Sequence, residues 1–360
     1  MKRRTFIKQT GLFTGGVILN KFNLHGKTKI REKFKIYGWW NAPSLKKDEL
    51  LAKLEEFKQR GISGLLVRGS GENIEKLARA AEKLNIEIHV WMWSLLDGNP
   101  QIVENNPEWY NVNRKGVSSL EKPPYVGYYK WLCPSREPVI EYLIDKALGY
   151  IKVPNVKGVH LDYIRYPDVI LPQALQPKYG LNQTHEFPEY DFCYCEVCRQ
   201  KFKDKYGQDP LKLKNPSQNK AWVNFRYQRV TNLVNRIADK VHKKSKKITA
   251  AVFPTPKIAR KLVRQNWPAW NLDGVFPMMY NNYYNKPVSW IENASREGQK
   301  ALGGKFPLYS GIYANRLKPK EISQAIKYAQ KGGADGISLF NLHGMNAEKW
   351  KLWSKKTKME

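Results

Sequence analysis

Short apolar runs alternate along this chain with longer stretches whose apolar residues recur every three or four positions. The first kind reads as strands and the second as amphipathic helices. Eight strands are expected: FKIYGWW (34–40), ISGLLVRG (62–69), IEIHVWMW (86–93), GVHLDYIRY (158–166), ITAAVFP (248–254), DGVFPMMY (273–280), FPLYSGIYA (306–314) and DGISLFNL (335–342). Helices are expected between them. The first runs from a Ser44 cap to Arg60, with Gly61 as its stop. Others cover roughly 72–84, 135–151, 220–244, 257–265, 288–300 and 318–331. The strands are nearly continuous in apolar residues, as a parallel sheet covered on both faces requires. Eight strands with intervening helices predict an α/β fold, a single (β/α)8 barrel.

Two connections exceed ordinary loop length, 97–132 after the third strand and 167–218 after the fourth. Both leave carboxyl ends of strands, the catalytic face of such a barrel. The fourth strand carries Asp162 to that end. An acid closing an apolar run faces solvent or a functional cleft, because unpaired burial costs several kcal/mol. Tyr163 and Arg165 lie beside it in sequence and could hold its ionisation state. An ion pair of Asp162 with Arg165, purely structural, is the competing reading. Polar or aromatic residues fall at other strand ends: Asn41, Arg68, Trp93, Tyr280, Asn281, Tyr313, Asn341 and His343. As a set they could grip hydroxyls and anionic substituents. His89 and His160 lie inside strands and are expected in the core.

Four cysteines are present. Three form the run FCYCEVCRQKF as Cys193, Cys195 and Cys198, and Cys133 lies in WLCPSRE. Four thiolates can close a tetrahedral zinc site. Two disulfides or free buried thiols are the alternatives, though pairing Cys193 with Cys195 would be strained. Zinc would staple the two long loops together beside the cleft. With no ligand position left for water, the site would be structural.

The chain has 360 residues and a net charge of +30, from 62 basic and 32 acidic residues. Such a charge suits a polyanionic partner. The basic residues are spread along helices and no nucleic-acid motif is present, so nucleic acid is not the expected partner. Anionic polysaccharide is, with a solvated surface as the plainer account. Twelve Trp and 20 Tyr suit carbohydrate too, since sugars stack C–H faces on aromatic rings. The N-terminus reads KRRTFIKQTG followed by LFTGGVILN. Arg3 and Arg4, then Phe6 and Lys8, then a weakly apolar core form a twin-arginine export pattern. The apolar run is too short to span a membrane. Residues 1–30 are therefore expected to be signal and linker, and 31–360 one domain, periplasmic or extracellular.

VKGVHLDYIRYP resembles the fourth-strand signature of the glycosyl-hydrolase-like family 10 proteins, and NPEWYNVNRKG and WLCPSREPVIEYL resemble that family's approach to it. The resemblance implies a glycosidase-like barrel with Asp162 at its active centre. Separately, WLCPSREPVI with the C-x-C-x-x-C run resembles the zinc cluster of family-42 β-galactosidases, and Cys133, Cys193, Cys195 and Cys198 match all four of its positions. That family ends its fourth strand in an Asn-Glu pair, whereas this chain ends in Asp162. Only the metal site carries over.

Glycoside hydrolysis normally uses two carboxyls, about 5 Å apart in a retaining pair and roughly 6.5–9.5 Å in an inverting one. No acid stands at the ends of strands five to eight. The remaining candidates are Asp97, Asp168, Glu186, Glu189 and Asp191. Glu189 is the preferred partner for Asp162, although each of these acids is by itself an ordinary loop residue, and Asp168 could instead pair with Arg165. The expected function is an exported glycoside hydrolase acting on a polysaccharide, anionic through sulfate or uronate groups. A non-catalytic carbohydrate-binding barrel is the alternative. The sequence leaves the oligomeric state open.

Overall fold

The computed structural model describes residues 34–69 and 71–357. The twin-arginine pattern lies outside them. Along the chain run β1 (Lys35–Trp40), α1 (Lys47–Gln59), β2 (Gly64–Val67), α2 (Gly71–Lys83), β3 (Glu87–Trp93), α3 (Pro100–Asn105), α4 (Glu137–Ile151) and β4 (Gly158–Asp162). Then come α5 (Glu196–Tyr206), α6 (Lys220–His242), β5 (Lys247–Val252), α7 (Pro256–Val263), β6 (Gly274–Pro277), α8 (Trp290–Leu302), β7 (Tyr309–Tyr313), α9 (Pro319–Lys331), β8 (Gly336–Phe340) and α10 (Ala347–Thr357). All the strands pair in parallel, in the order β6-β5-β4-β3-β2-β1-β8-β7. Parallel bridges Val275–Leu308 and Met278–Gly311 join the two ends. The protein is a (β/α)8 barrel, as the alternation of patterns predicts. No helix among the described residues is long and apolar enough to cross a membrane.

Each strand is shorter than its apolar run, because the run continues into the turn that leaves the barrel. Ser44 does not cap α1. That helix starts after Lys46, whose backbone N–H donates to the Glu49 carboxylate at 3.1 Å. Gly61 does end it, with φ +83°, a left-handed conformation that glycine adopts without strain. Three helices escape the sequence pattern. α3 and α5 sit inside the long loops, and α10 buries Trp350 and Trp353, the latter donating its indole N–H to the Arg60 carbonyl at 2.8 Å.

Along a strand alternate side chains face the lumen. β1 sends in Tyr37 and Trp39, β3 His89 and Trp91, β4 His160, β6 Phe276, β7 Tyr309 and β8 Phe340. These rings meet edge to face: Tyr37 lies 4.9 Å from Tyr309 and 5.1 Å from Phe276, and Trp39 lies 4.8 Å from both Trp91 and His160. The lumen is thus a packed aromatic core. His89 and His160 are buried in it as expected. Burial, and then His89, hold the His160 pKa well below its usual value. The neutral ring makes a 2.8 Å hydrogen bond with Thr249 Oγ1. Where β4 and β5 converge below this core, a Cβ on Gly158 would lie 2.2 Å from the Lys247 carbonyl oxygen, so only glycine fits.

Candidate active site

The inward column of β4 ends in Asp162 and that of β3 in Trp91 and Trp93, with Trp93 in register beside Asp162. The side chain of Asp162 is half-buried at the floor of the barrel mouth. One carboxylate oxygen accepts the Trp91 indole N–H at 3.0 Å, and the other accepts the Tyr163 backbone N–H at 2.7 Å. Tyr163 has φ +51°, a left-handed conformation that costs a non-glycine residue energy and often marks a functional site. That turn takes the chain out of the strand immediately after the acid. Burial raises the Asp162 pKa, and its effect exceeds the lowering by the Tyr163 amide, the Trp91 indole and the Arg165 charge. A carboxyl so placed holds its proton to higher pH than an exposed one.

Aromatic rings wall the mouth above this acid. Trp93 lies 5.2 Å from Tyr163, and Trp91 6.3 Å from Phe340. Phe340 in turn lies 5.8 Å from Tyr280 and 5.6 Å from Tyr313. Of the residues singled out at strand ends, Trp93, Tyr163, Tyr280 and Tyr313 therefore come together. Trp91, Tyr129 and Phe340 join them, although sequence reasoning did not select them. For Trp91 the signal was available: counting back two positions from Trp93 places it on the same inward column.

Other selected residues have different employment. Arg165 is buried and does not pair with Asp162. Its guanidinium bonds Asp168 at 2.8 Å and lies against Trp131, Phe253 and Tyr163. It is a strut beneath the mouth rather than a free substrate contact. Asn281 is buried and donates its amide to the Lys286 carbonyl, closing a turn. Asn41 and His343 are exposed and meet each other, His343 Nε2 lying 3.3 Å from the Asn41 carbonyl. Asn341 bonds Asn315 through its backbone N–H, while its own side-chain oxygen is buried with no partner among the described residues. Arg68 is exposed at the end of β2 and stacks 4.1 Å over Trp93.

The five candidate loop acids are all paired, Asp168 with Arg165 as above. Asp97 takes Lys146 and Tyr142, each at 2.9 Å. Glu186 pairs with Arg264, and buried Asp191 with Arg226, Arg264 and the Tyr194 hydroxyl. Glu189 lies on a 3₁₀ turn, partly exposed, 3.4 Å from Lys115. No hydrogen bond or ion pair brings it to Asp162. Its own backbone N–H, and then Lys115, hold its pKa below the usual glutamate value against the effect of burial, the opposite of a proton donor. Arginine and lysine partners hold the acids before the cysteine run.

The four cysteines do converge. Cys133, Cys193, Cys195 and Cys198 are buried, their sulfurs all within 4.8 Å of one another, and none forms a disulfide. Cys133 Sγ lies 3.7 Å from Cys195 Sγ and 3.5 Å from Cys198 Sγ. A tetrahedron with metal–sulfur bonds of about 2.3 Å has edges of about 3.8 Å, so the spacing fits one ion. Backbone N–H groups of Val112 and Cys195 point to Cys193 Sγ at 3.5 Å, and Cys195 begins α5, whose N-terminus favours a thiolate. Burial by itself pushes the Cys133 and Cys193 thiols up. The cluster joins the loop after β3 to the loop after β4, where Asn113 also bridges Phe192.

No protein-family model matches this chain, and no curated protein does. Solved structures do. The β-amylase catalytic domain of Paenibacillus polymyxa superposes with TM-score 0.60 at 13% identity, over 91% of this chain and 99% of that one. A β-galactosidase from the haloarchaeon Halorubrum lacusprofundi gives 0.64 at 11%, over 90% of this chain and 58% of that one. A family-42 β-galactosidase from G. stearothermophilus gives 0.60 at 12%, over 91% and 56%. The neighbours are glycoside-hydrolase barrels. They include the family whose cysteine cluster this sequence resembles, and the chain spans little more than half of those galactosidases. At these identities the likeness establishes the fold.

The environment of Asp162 has a consequence for stability. Its pKa is higher folded than unfolded, so the contribution to stability is present in acid and is lost as pH rises through the folded value. Asp162→Asn removes this pH-dependent loss along with one of the two acceptor oxygens, so its melting temperature relative to wild type should be higher at pH 7 than near pH 4, by roughly 2 °C for each kcal/mol of the difference. Calorimetry across that range checks it; a variant destabilised equally at both pH values would contradict the assignment.

Proposed function

We propose that this protein is a glycoside hydrolase acting on a polysaccharide, with Asp162 as its catalytic carboxyl. The observation that carries the reading is a carboxyl with raised pKa at the floor of an aromatic barrel mouth. The aromatic walls offer faces for sugar rings. Protonated Asp162 would give its proton to the glycosidic oxygen as the bond to the anomeric carbon breaks, and water would complete the hydrolysis. The net charge of +30 favours an anionic glycan. The test is a reducing-end screen on neutral, sulfated and uronate-containing glycans. On a glycan that is cleaved, Asp162→Asn should lower kcat by at least about 100-fold. Full activity in that variant would remove Asp162 from the mechanism.

A second reading is a carbohydrate-binding barrel without turnover. It is favoured by the pairing of each of the five candidate loop acids with a cation, which leaves none of them a free carboxylate partner for Asp162. Wild-type protein that binds a glycan in the same screen and never cleaves it would establish that reading.

Zinc belongs to this proposal as a closed structural centre on Cys133, Cys193, Cys195 and Cys198, the residues whose sulfur spacing fits it. It would hold the two loops beside the mouth and take no part in chemistry. Elemental analysis should find one zinc per chain, lost in Cys195→Ala together with several degrees of melting temperature. Metal-free wild-type protein of unchanged stability would overturn it.

Export by the twin-arginine route is supported by the sequence pattern alone. Replacing both Arg3 and Arg4 by lysine should retain the protein in the cytoplasm on fractionation. Unchanged export would refute the route.

A further inference from the structure

A cavity of about 600 Å³ opens beside the mouth, between the ends of β2 and β3 and the loop after β3. Trp91 and Trp93 form its inner wall. Trp91 is also the indole that donates to Asp162, so one ring touches both the cavity and the acid. Three cations line it, Arg68, Lys130 and Lys146, against one carboxylate, Asp97. Asp97 is matched by Lys146 at 2.9 Å. Arg68 and Lys130 have no carboxylate partner among the described residues. The cavity therefore keeps two uncompensated positive charges.

Arg68 is held in a particular way. Its guanidinium carbon lies over the Trp93 ring, 4.1 Å from the centroid. That contact engages the cation with the ring while no carboxylate takes its N–H groups, and a guanidinium can meet a planar or tetrahedral oxyanion through two parallel hydrogen bonds. The same stacking covers one face of Trp93 and withdraws it as a sugar platform. Lys130 supplies a second point charge from the loop side. Arg165, a further basic residue near the mouth, is already paired with Asp168 and sealed among rings.

We infer that this cavity is a subsite for an anionic substituent, a sulfate or carboxylate, on a sugar one or two residues from the bond that Asp162 would cleave. The inference rests on the carbohydrate reading above and names the charged group that this mouth selects. Sulfate and uronate share the recognising chemistry, and matched ligands distinguish them.

The experiment measures binding rather than turnover, in Asp162→Asn protein, by calorimetry. The probes are oligogalacturonate with its methyl ester, and a sulfated galactan oligosaccharide with its desulfated counterpart. The charged member of at least one pair should bind more tightly than its neutral twin. Arg68→Ala and Lys130→Ala should each weaken that charged ligand about tenfold or more and leave the neutral one unchanged, while Arg68→Lys keeps the charge but loses the fork and should also weaken it. Lys331→Ala, at the exposed carboxyl end of α9, should change neither. Equal binding of charged and neutral twins, or an equal loss in Lys331→Ala, would overturn the subsite, the second result showing bulk charge alone. Discrimination by Arg68 that survives in a protein with no hydrolytic activity would keep the subsite and discard only the hydrolase.

Discussion

The closing of eight parallel strands into one ring governs everything else in this protein. Closure sends every second side chain into a narrow lumen. Here those side chains are mostly aromatic, and they fill the lumen edge to face from Tyr37, Phe276 and Tyr309 up to Trp39, Trp91 and Phe340. A lumen so filled leaves no channel. The floor of the mouth is the top of this core, and the one carboxyl placed there, Asp162, is held by an indole that is itself part of the packing. The same burial that stabilises the barrel displaces the acid's pKa.

Around that floor, two long loops are held by distinct forces. Four buried cysteines from the two converge at one point. Ion pairs hold them elsewhere: Asp97 with Lys146, Asp168 with Arg165, and Asp191 with Arg226 and Arg264. Fully buried pairs such as Asp191–Arg226 are strongly destabilising to break, because removal of either partner strands a charge out of water. These acids therefore serve the architecture. The economy has a chemical consequence, since it leaves Asp162 as the acid of the mouth that no cation neutralises directly.

The positive charge is not evenly useful. Much of it lies on solvated helix faces. Arg165 is near the mouth yet buried in a pair, whereas Arg68 and Lys130 remain open to a ligand beside the aromatic wall. A long-range field from +30 can steer a polyanion toward the protein, but only unpaired groups at a cavity can select where its charge sits.

The sequence by itself determined the barrel. Strand and helix patterns are local, and eight strands with helices between them leave few other architectures. It also placed Asp162 at a strand end and identified the four cysteines, because strand ends and ligand spacing are legible along a chain. It did not decide partners. Arg165 could be assigned to Asp162 or Asp168 from sequence, and only the turn at Tyr163 and the fold of the following loop carry its guanidinium to Asp168. Glu189 stood next to the cysteine run and was preferred on proximity, yet the 3₁₀ turn presents it to Lys115. Trp91 and Phe340 looked like ordinary strand residues until closure brought strands three and eight to the same floor. Contacts across a barrel join residues far apart in the chain, and their geometry is set by closure and loop packing rather than by any local pattern.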